Sequence, residues 1–176
     1  GWGSWSSFRS DVERELAEAT KLEADGMPIA EIALARARVL IADIRDERGQ
    51  RIAEELGAAA VYQHTDVRDE ASIAAAVDRA VAEFGRLDCM FANAGIVGAV
   101  GPIDTALAEE YDATMDINLR GPFLCMKHAA RIMKPQGSGV ILSCSSIAAL
   151  RGGLGPHVYT AAKTALIGLT RNVAVE

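Results

Sequence analysis

Tyr159 and Lys163 stand four residues apart in the run VYTAAKTAL at 158 to 166, where an apolar helical pattern begins. On a helix, positions i and i+4 share a face with Cβ atoms about 5 to 6 Å apart, so this phenol and this ammonium point the same way. A free tyrosine titrates near pH 10, and bringing it to about 7 takes roughly 4 kcal/mol of preference for the phenolate. A cation about 4 Å away supplies roughly 4 kcal/mol at an effective dielectric of 20. The pair therefore suits general acid–base work on a single proton. Two fixed positions recur by chance in unrelated chains, so a tyrosine and a lysine merely lining a helix surface is the competing reading until other residues join them.

The elements that would position such a pair alternate along the chain. VLIAD at 39 to 43 reads as a buried-type strand closed by an acid, ERGQRIAEELG as a helix closed by Gly57, and AAVYQHTD as a strand ending at Asp66. Asp69 is placed to cap the next helix, whose Ile73, Val77, Ala80, Val81 and Phe84 keep the 3.6-residue period up to Gly85. LDCMFA at 87 to 92 is a further strand and empties into NAGIVGAVGP. A helical stretch then covers about 106 to 134, GVILSCS at 139 to 145 is a strand, and the last helix runs from Tyr159 onward. This alternation predicts an α/β fold: a Rossmann-like, doubly wound parallel sheet with helices on both faces, incomplete at about four recognisable strands.

Residues 1–37 form an atypical, mostly helical N-terminal segment, and residues 38–176 the dinucleotide-binding part of what reads as a single domain. The first nine residues show no periodicity. Ser10 and Glu13 form a capping box, Val12, Leu16, Ala19 and Leu22 repeat at helical spacing until Gly26, and Pro28 suits the start of one more helical turn.

Ligands of an open parallel sheet bind outside the carboxyl ends of its strands. At those ends lie Asp43, Asp66, the group Asn93, Ala94 and Gly95, and Ser145 with Ser146; Tyr159 follows Ser146 by 13 residues. A carboxylate at Asp43 can accept hydrogen bonds from ribose hydroxyls and repels a 2′-phosphate, although a helix-capping aspartate explains it equally well. Asp66 is open between turn former and ligand contact. Gly95 lets a flat ligand approach the backbone. Pro122 has no N–H, so it cannot bond the carbonyl of Asn118 four residues earlier; a kink at that point is favoured over simple helix termination.

ADI at 42 to 44, TDV at 65 to 67, ANAG at 92 to 95, MDINLRGPF at 115 to 123, ILSCSSIAAL at 141 to 150 and YTAAK at 159 to 163 together resemble the successive motifs of the short-chain dehydrogenase/reductase family. The resemblance covers about residues 38 to 176 in the family's order. It implies a catalytic set of Asn118, Ser146, Tyr159 and Lys163. It also implies a nicotinamide cofactor held by Asp43, Ile44, Asp66, Val67, Asn93, Ala94, Gly95, Tyr159 and Lys163, with NAD preferred over NADP because of Asp43. By the same resemblance the chain is an oxidoreductase that moves hydride between cofactor and a small alcohol or ketone, and it assembles as a homodimer or homotetramer. In that role Ser146 holds the substrate oxygen, and the carbonyl of Asn118 serves a proton relay through Lys163.

Two departures from the family are expected to matter. Its glycine-rich first turn has no counterpart, since residues 10 to 38 hold the single glycine Gly26, and Gly1 and Gly3 follow no strand. Backbone amides at a helix N-terminus then cannot cradle a pyrophosphate. The missing first strand belongs between the strands ending at Asp43 and Ala92, which must either pair directly or keep open edges that invite another chain. The sequence also stops at VAVE, ahead of the segment that encloses the substrate in relatives, so it resembles a truncated member. A non-catalytic derivative acting only through subunit association is the alternative function. An unrelated flavodoxin-like binding module explains neither the 13-residue nor the four-residue spacing.

Composition narrows the remaining classes. Half the residues are hydrophobic, 5% are aromatic and 24% charged, which gives an Ala, Val, Ile and Leu core. A net charge of −6 without a basic cluster argues against nucleic acid as a partner. No apolar run suits a signal peptide or a membrane span. Cys89, Cys125 and Cys144 lack metal-ligand spacing and sit in apolar runs, so buried reduced thiols, no metal and a cytoplasmic location are expected.

Overall fold

A computed structural model describes residues 37–176. The helix expected over residues 10 to 26, the turn after Pro28 and the region of Gly1 and Gly3 lie outside the described residues. The chain divides into two compact units, one running to Ile41 and resuming over Arg45–Gln63, the other made of Ala42–Ile44 and His64–Glu176.

Most residues of β1 (Val39–Asp43) and β2 (Ala60–His64) belong to the first unit; the two strands hydrogen-bond as a two-stranded sheet and are connected through α1 (Asp46–Leu56). Gly57 ends α1 at a φ of 61°, where a Cβ is resisted, and its N–H returns to the carbonyl of Glu54. The ring of Tyr62 occupies the space a side chain at Gly49 would need, and its hydroxyl donates to Asp46 at 2.6 Å. Helix and strand are thus locked by one small-against-large contact.

The second unit carries α2 (Glu70–Phe84), β3 (Cys89–Ala92), α3 (Ala108–Met115), a π-helical turn (Asp116–Arg120), α4 (Gly121–Gln136), β4 (Val140–Ser143) and α5 (His157–Val173). Strands β3 and β4 run parallel, with Cys89 opposite Val140 and Ala92 opposite Ser143. Its core gathers Ile73, Ala92, Leu124 and Cys125, with Val67 and Met90 packed against them. As the period of two requires, alternate strand residues face the other way: Phe91 and its partner Leu142 are exposed. Helix ends follow local chemistry. The Asp69 carboxylate accepts from the N–H of Ala71 at 3.0 Å to start α2, and Gly85 ends it at a φ of 82°. At the far end, the carboxamide of Gln136 bonds both the N–H and the carbonyl of Leu87.

The four expected strands are present, in two pairs, β1 with β2 and β3 with β4. Cys125 is buried, and burial pushes its thiol up to about 11, whereas Cys144 is half-buried and Cys89 is exposed on the Phe91 side of β3. The expectation of three buried thiols fails at Cys89, because alternation on a strand puts every second residue outward. No described helix is long and apolar enough to cross a membrane, and no group of three metal-ligating side chains occurs among the described residues.

Ion pairs tie α2 to α4: Lys127 meets Glu70 at 2.6 Å, His128 approaches the same oxygen at 3.1 Å, and Arg131 meets Asp78. The hydrogen bonds from Lys127 and His128 hold the Glu70 carboxyl below its ordinary value of 4.5. A depressed carboxylate adds stability that is present above the unfolded value and is lost as pH falls through the folded one. Stability against urea is thus expected to decline from about pH 5 downward. Glu70→Gln should flatten that decline; an unchanged acid profile in this variant would contradict the contribution of the pair.

Candidate active site

Asn118 sits at the centre of the site, 0% exposed, on the π turn between α3 and α4. Pro122 cannot donate to its carbonyl in the α-helical pattern. The helix does not stop there. It loosens instead, with the N–H of Gly121 reaching back five residues to the carbonyl of Asp116, the geometry of the π turns that recur at functional sites. The kink expected from the sequence takes this form. Gly121 permits it by lying against Val67, where an added Cβ would come within 3.1 Å of that side chain.

The Asn118 carboxamide is spent on backbone. Its Nδ2 donates to the carbonyls of Ile96 at 2.9 Å and Thr114 at 3.1 Å, and its Oδ1 accepts from the N–H of Ile96 at 3.1 Å. This fixes the loop leaving β3, and with it Gly95. A Cβ on Gly95 would lie 2.9 Å from Asn118 Oδ1 and 3.5 Å from Lys163 Nζ, so any side chain there would press on both. Asn93, Ala94 and Gly95 themselves are exposed.

Lys163 is 4% exposed on α5. Its Nζ donates to the carbonyl of Cys144 at 2.8 Å, at the end of β4, and stands 5.7 Å from the centroid of the Tyr159 ring. An ammonium has three protons, so two remain for other acceptors. The Ser145 hydroxyl donates to the Lys163 carbonyl at 2.9 Å, anchoring that turn of α5 to the strand end. Half-buried Tyr159 lies one turn earlier, and the expected i, i+4 relation is realised, since α5 begins at His157 rather than at Tyr159. Ser146 Oγ accepts from the N–H of Ala148 at 3.2 Å and opens the 3₁₀ turn Ile147–Ala149; its own proton is still available to a ligand oxygen.

The other sequence-derived positions are placed as follows. Asp66 ends the segment after β2 with its carboxylate turned onto Arg68, which donates from its backbone N–H at 2.9 Å and from its guanidinium at 2.6 Å. Arg68 holds the Asp66 carboxyl below the ordinary range, chiefly by the side-chain hydrogen bond. Val67 is packed against the core. Asp43 ends β1, its carbonyl accepting from the N–H of Thr65 at 3.0 Å, and both Asp43 and Ile44 are exposed. Gly95, Asn118, Tyr159 and Lys163 therefore meet in one place. Thr114 was absent from the sequence reading, although its position one turn before Asn118 places both residues on one helix face.

The chain has relatives among known proteins. Residues 26–176 match a family model described as enoyl-(acyl carrier protein) reductase. Over 143 residues the chain is 49% identical to (+)-borneol dehydrogenase 2 of Salvia officinalis, covering 80% of this chain and 50% of that protein. Among solved structures, levodione reductase superposes with a TM-score of 0.75 at 35% identity, over 82% of this chain and 58% of the other. NAD+-bound xylitol dehydrogenase does so with a TM-score of 0.76 at 29% identity, over 81% and 56%. The chain spans about half the length of the curated relatives it matches. With motifs, strand-end geometry and relatives in agreement, the chain belongs to the short-chain dehydrogenase/reductase family.

Proposed function

We propose that the protein is an NAD-dependent oxidoreductase that interconverts a small secondary alcohol and its ketone, with Tyr159 as the acid/base. The observation that carries this reading is the meeting of Gly95, Asn118 and Lys163, with the Lys163 amine beside the Tyr159 ring. The donor set fits the nicotinamide–ribose end of a dinucleotide: two ammonium protons on Lys163, the hydroxyls of Tyr159 and Ser146, and the exposed backbone of Asn93 to Gly95. When bound, the nicotinamide supplies the two-electron hydride chemistry. Ser146 donates to the substrate oxygen and steadies it. Tyr159 takes the hydroxyl proton as the alcohol becomes a carbonyl, and returns it in the reverse direction. Lys163 stands beside the Tyr159 ring, and Asn118 holds the loop and, through its backbone carbonyl, would carry a proton path from Lys163. Asp43 and Ile44, with Asp66 and Val67, would hold the adenosine half, and the Asp43 carboxylate would favour NAD over NADP by repelling a 2′-phosphate.

The exposed apolar side chains Phe91 and Leu142 favour a second reading, association without catalysis. Family membership supports assembly as a homodimer or homotetramer under either reading. Fluorescence titration of the purified chain with NADH and NADPH separates the two. Saturation by NADH at a Kd at least tenfold below that for NADPH is expected; no saturable change up to millimolar NADH would remove the enzymatic reading. A substrate panel begins with borneol, the alcohol named for the 49% identical relative.

A further inference from the structure

The loop after β3 is not held by apolar burial. Ile96, Val97 and Val100 are all exposed, Val100 at 66%, and only the methyl of Ala99 is buried. Gly98 and Gly101 take φ of 70° and 116°, so the backbone turns through conformations that side chains resist. Such a loop has many paths open to it unless polar contacts choose one.

Two side chains make that choice. Asn118 takes both backbone groups of Ile96, and Thr114, 1% exposed, takes the next fixed point, its Oγ1 accepting from the N–H of Ala99 at 2.9 Å. The Thr114 hydroxyl also donates to the Glu110 carbonyl at 2.6 Å. That bond fixes its rotamer and aims the lone pair at the loop. Gly98 lies directly on the Thr114 side chain, leaving no room for a Cβ. Asn118 Nδ2 in turn bonds the Thr114 carbonyl, so the two residues act as one unit on adjacent turns.

We infer that Thr114 is a positioning residue: with Asn118 it clamps residues 95–99 and so sets the separation between the Gly95 backbone and the Lys163 amine. Its consequence for cofactor uptake rests on the proposed reading of Asn93 to Gly95 as the nicotinamide-side loop.

Thr114→Val keeps the shape and removes both hydrogen bonds, while Thr114→Ser keeps the hydroxyl. Amide hydrogen exchange of the full chain is followed by NMR or mass spectrometry. In Thr114→Val the amides of Ile96 and Ala99, the two in this loop that donate to the clamp, are expected to exchange at least tenfold faster, those of Leu124 to Ala129 in α4 to stay within threefold, and Thr114→Ser to restore the wild-type pattern. Uniform acceleration across the chain, no acceleration at Ile96 and Ala99, or failure of the serine to restore protection would each overturn the clamp. In the same proteins the NADH Kd should rise at least fivefold for valine and stay within twofold for serine. If wild-type protein takes up no NADH, the functional reading fails, and the exchange pattern still decides the clamp.

Discussion

Tyr159→Phe is expected to keep NADH affinity within about threefold of wild type while lowering turnover by about a thousandfold, the scale that a positioned acid/base contributes. The substitution removes one oxygen from a half-buried side chain whose ring stays beside the Lys163 amine. Lys163 keeps its bond to the Cys144 carbonyl, and Asn118 keeps its hold on Ile96, so the binding surface persists. The proton carrier is lost, with one of several donors to the ribose, which the threefold allowance in affinity covers. The measurement is the change in nicotinamide absorbance with the alcohol panel, alongside the fluorescence titration. A variant that turns over at half the wild-type rate would remove Tyr159 from the chemistry.

The second large effect concerns stability. Asn118→Leu is close in volume but takes the side-chain partner from the Thr114 carbonyl, which is buried, and from the N–H and carbonyl of Ile96, which are part-buried. Each unsatisfied buried group costs about 1–3 kcal/mol, which predicts a loss of about 2–5 kcal/mol. For a chain of this size the melting temperature then falls by roughly 10 °C. Thermal unfolding followed by circular dichroism checks it. A drop of only about 1 °C would show that the carboxamide is not the fastening the geometry describes.

What the sequence made legible was mostly local. Gly57 and Gly85 end helices through a backbone at positive φ and a backbone N–H bond, Asp69 begins one through its side chain, and their neighbours in sequence suffice to see it. A break in the helical bonding at Asn118 is legible from Pro122, because a missing N–H removes one particular helical bond; that it takes the form of a π turn is not. Tyr159 and Lys163 meet because four residues make one turn. The pairing of Asp66 with Arg68, two residues on, lies within the turn-former reading.

Contacts between segments far apart in the chain were not legible. Which strands share a sheet depends on non-local hydrogen bonding, so the sequence leaves open how the four strands pair. Whether Cys89 faces in or out depends on register against β4, and a short apolar run does not reveal it. Thr114 looked like any mid-helix threonine. Its part emerges only when Ala99, fifteen residues earlier, is folded onto it. The site is thus a mixture: its reactive pair is written in a helical period, and its fastenings are written in the fold.

The most direct test of the central claim follows the hydride itself. Wild-type protein is incubated with NAD and secondary alcohols of the panel carrying deuterium on the carbinol carbon, and the cofactor is analysed by mass spectrometry. Transfer of deuterium to the nicotinamide ring by wild type, and none above background by Tyr159→Phe, is the predicted result. Saturable cofactor binding with no label on the ring for any alcohol, or equal labelling by both proteins, would contradict it.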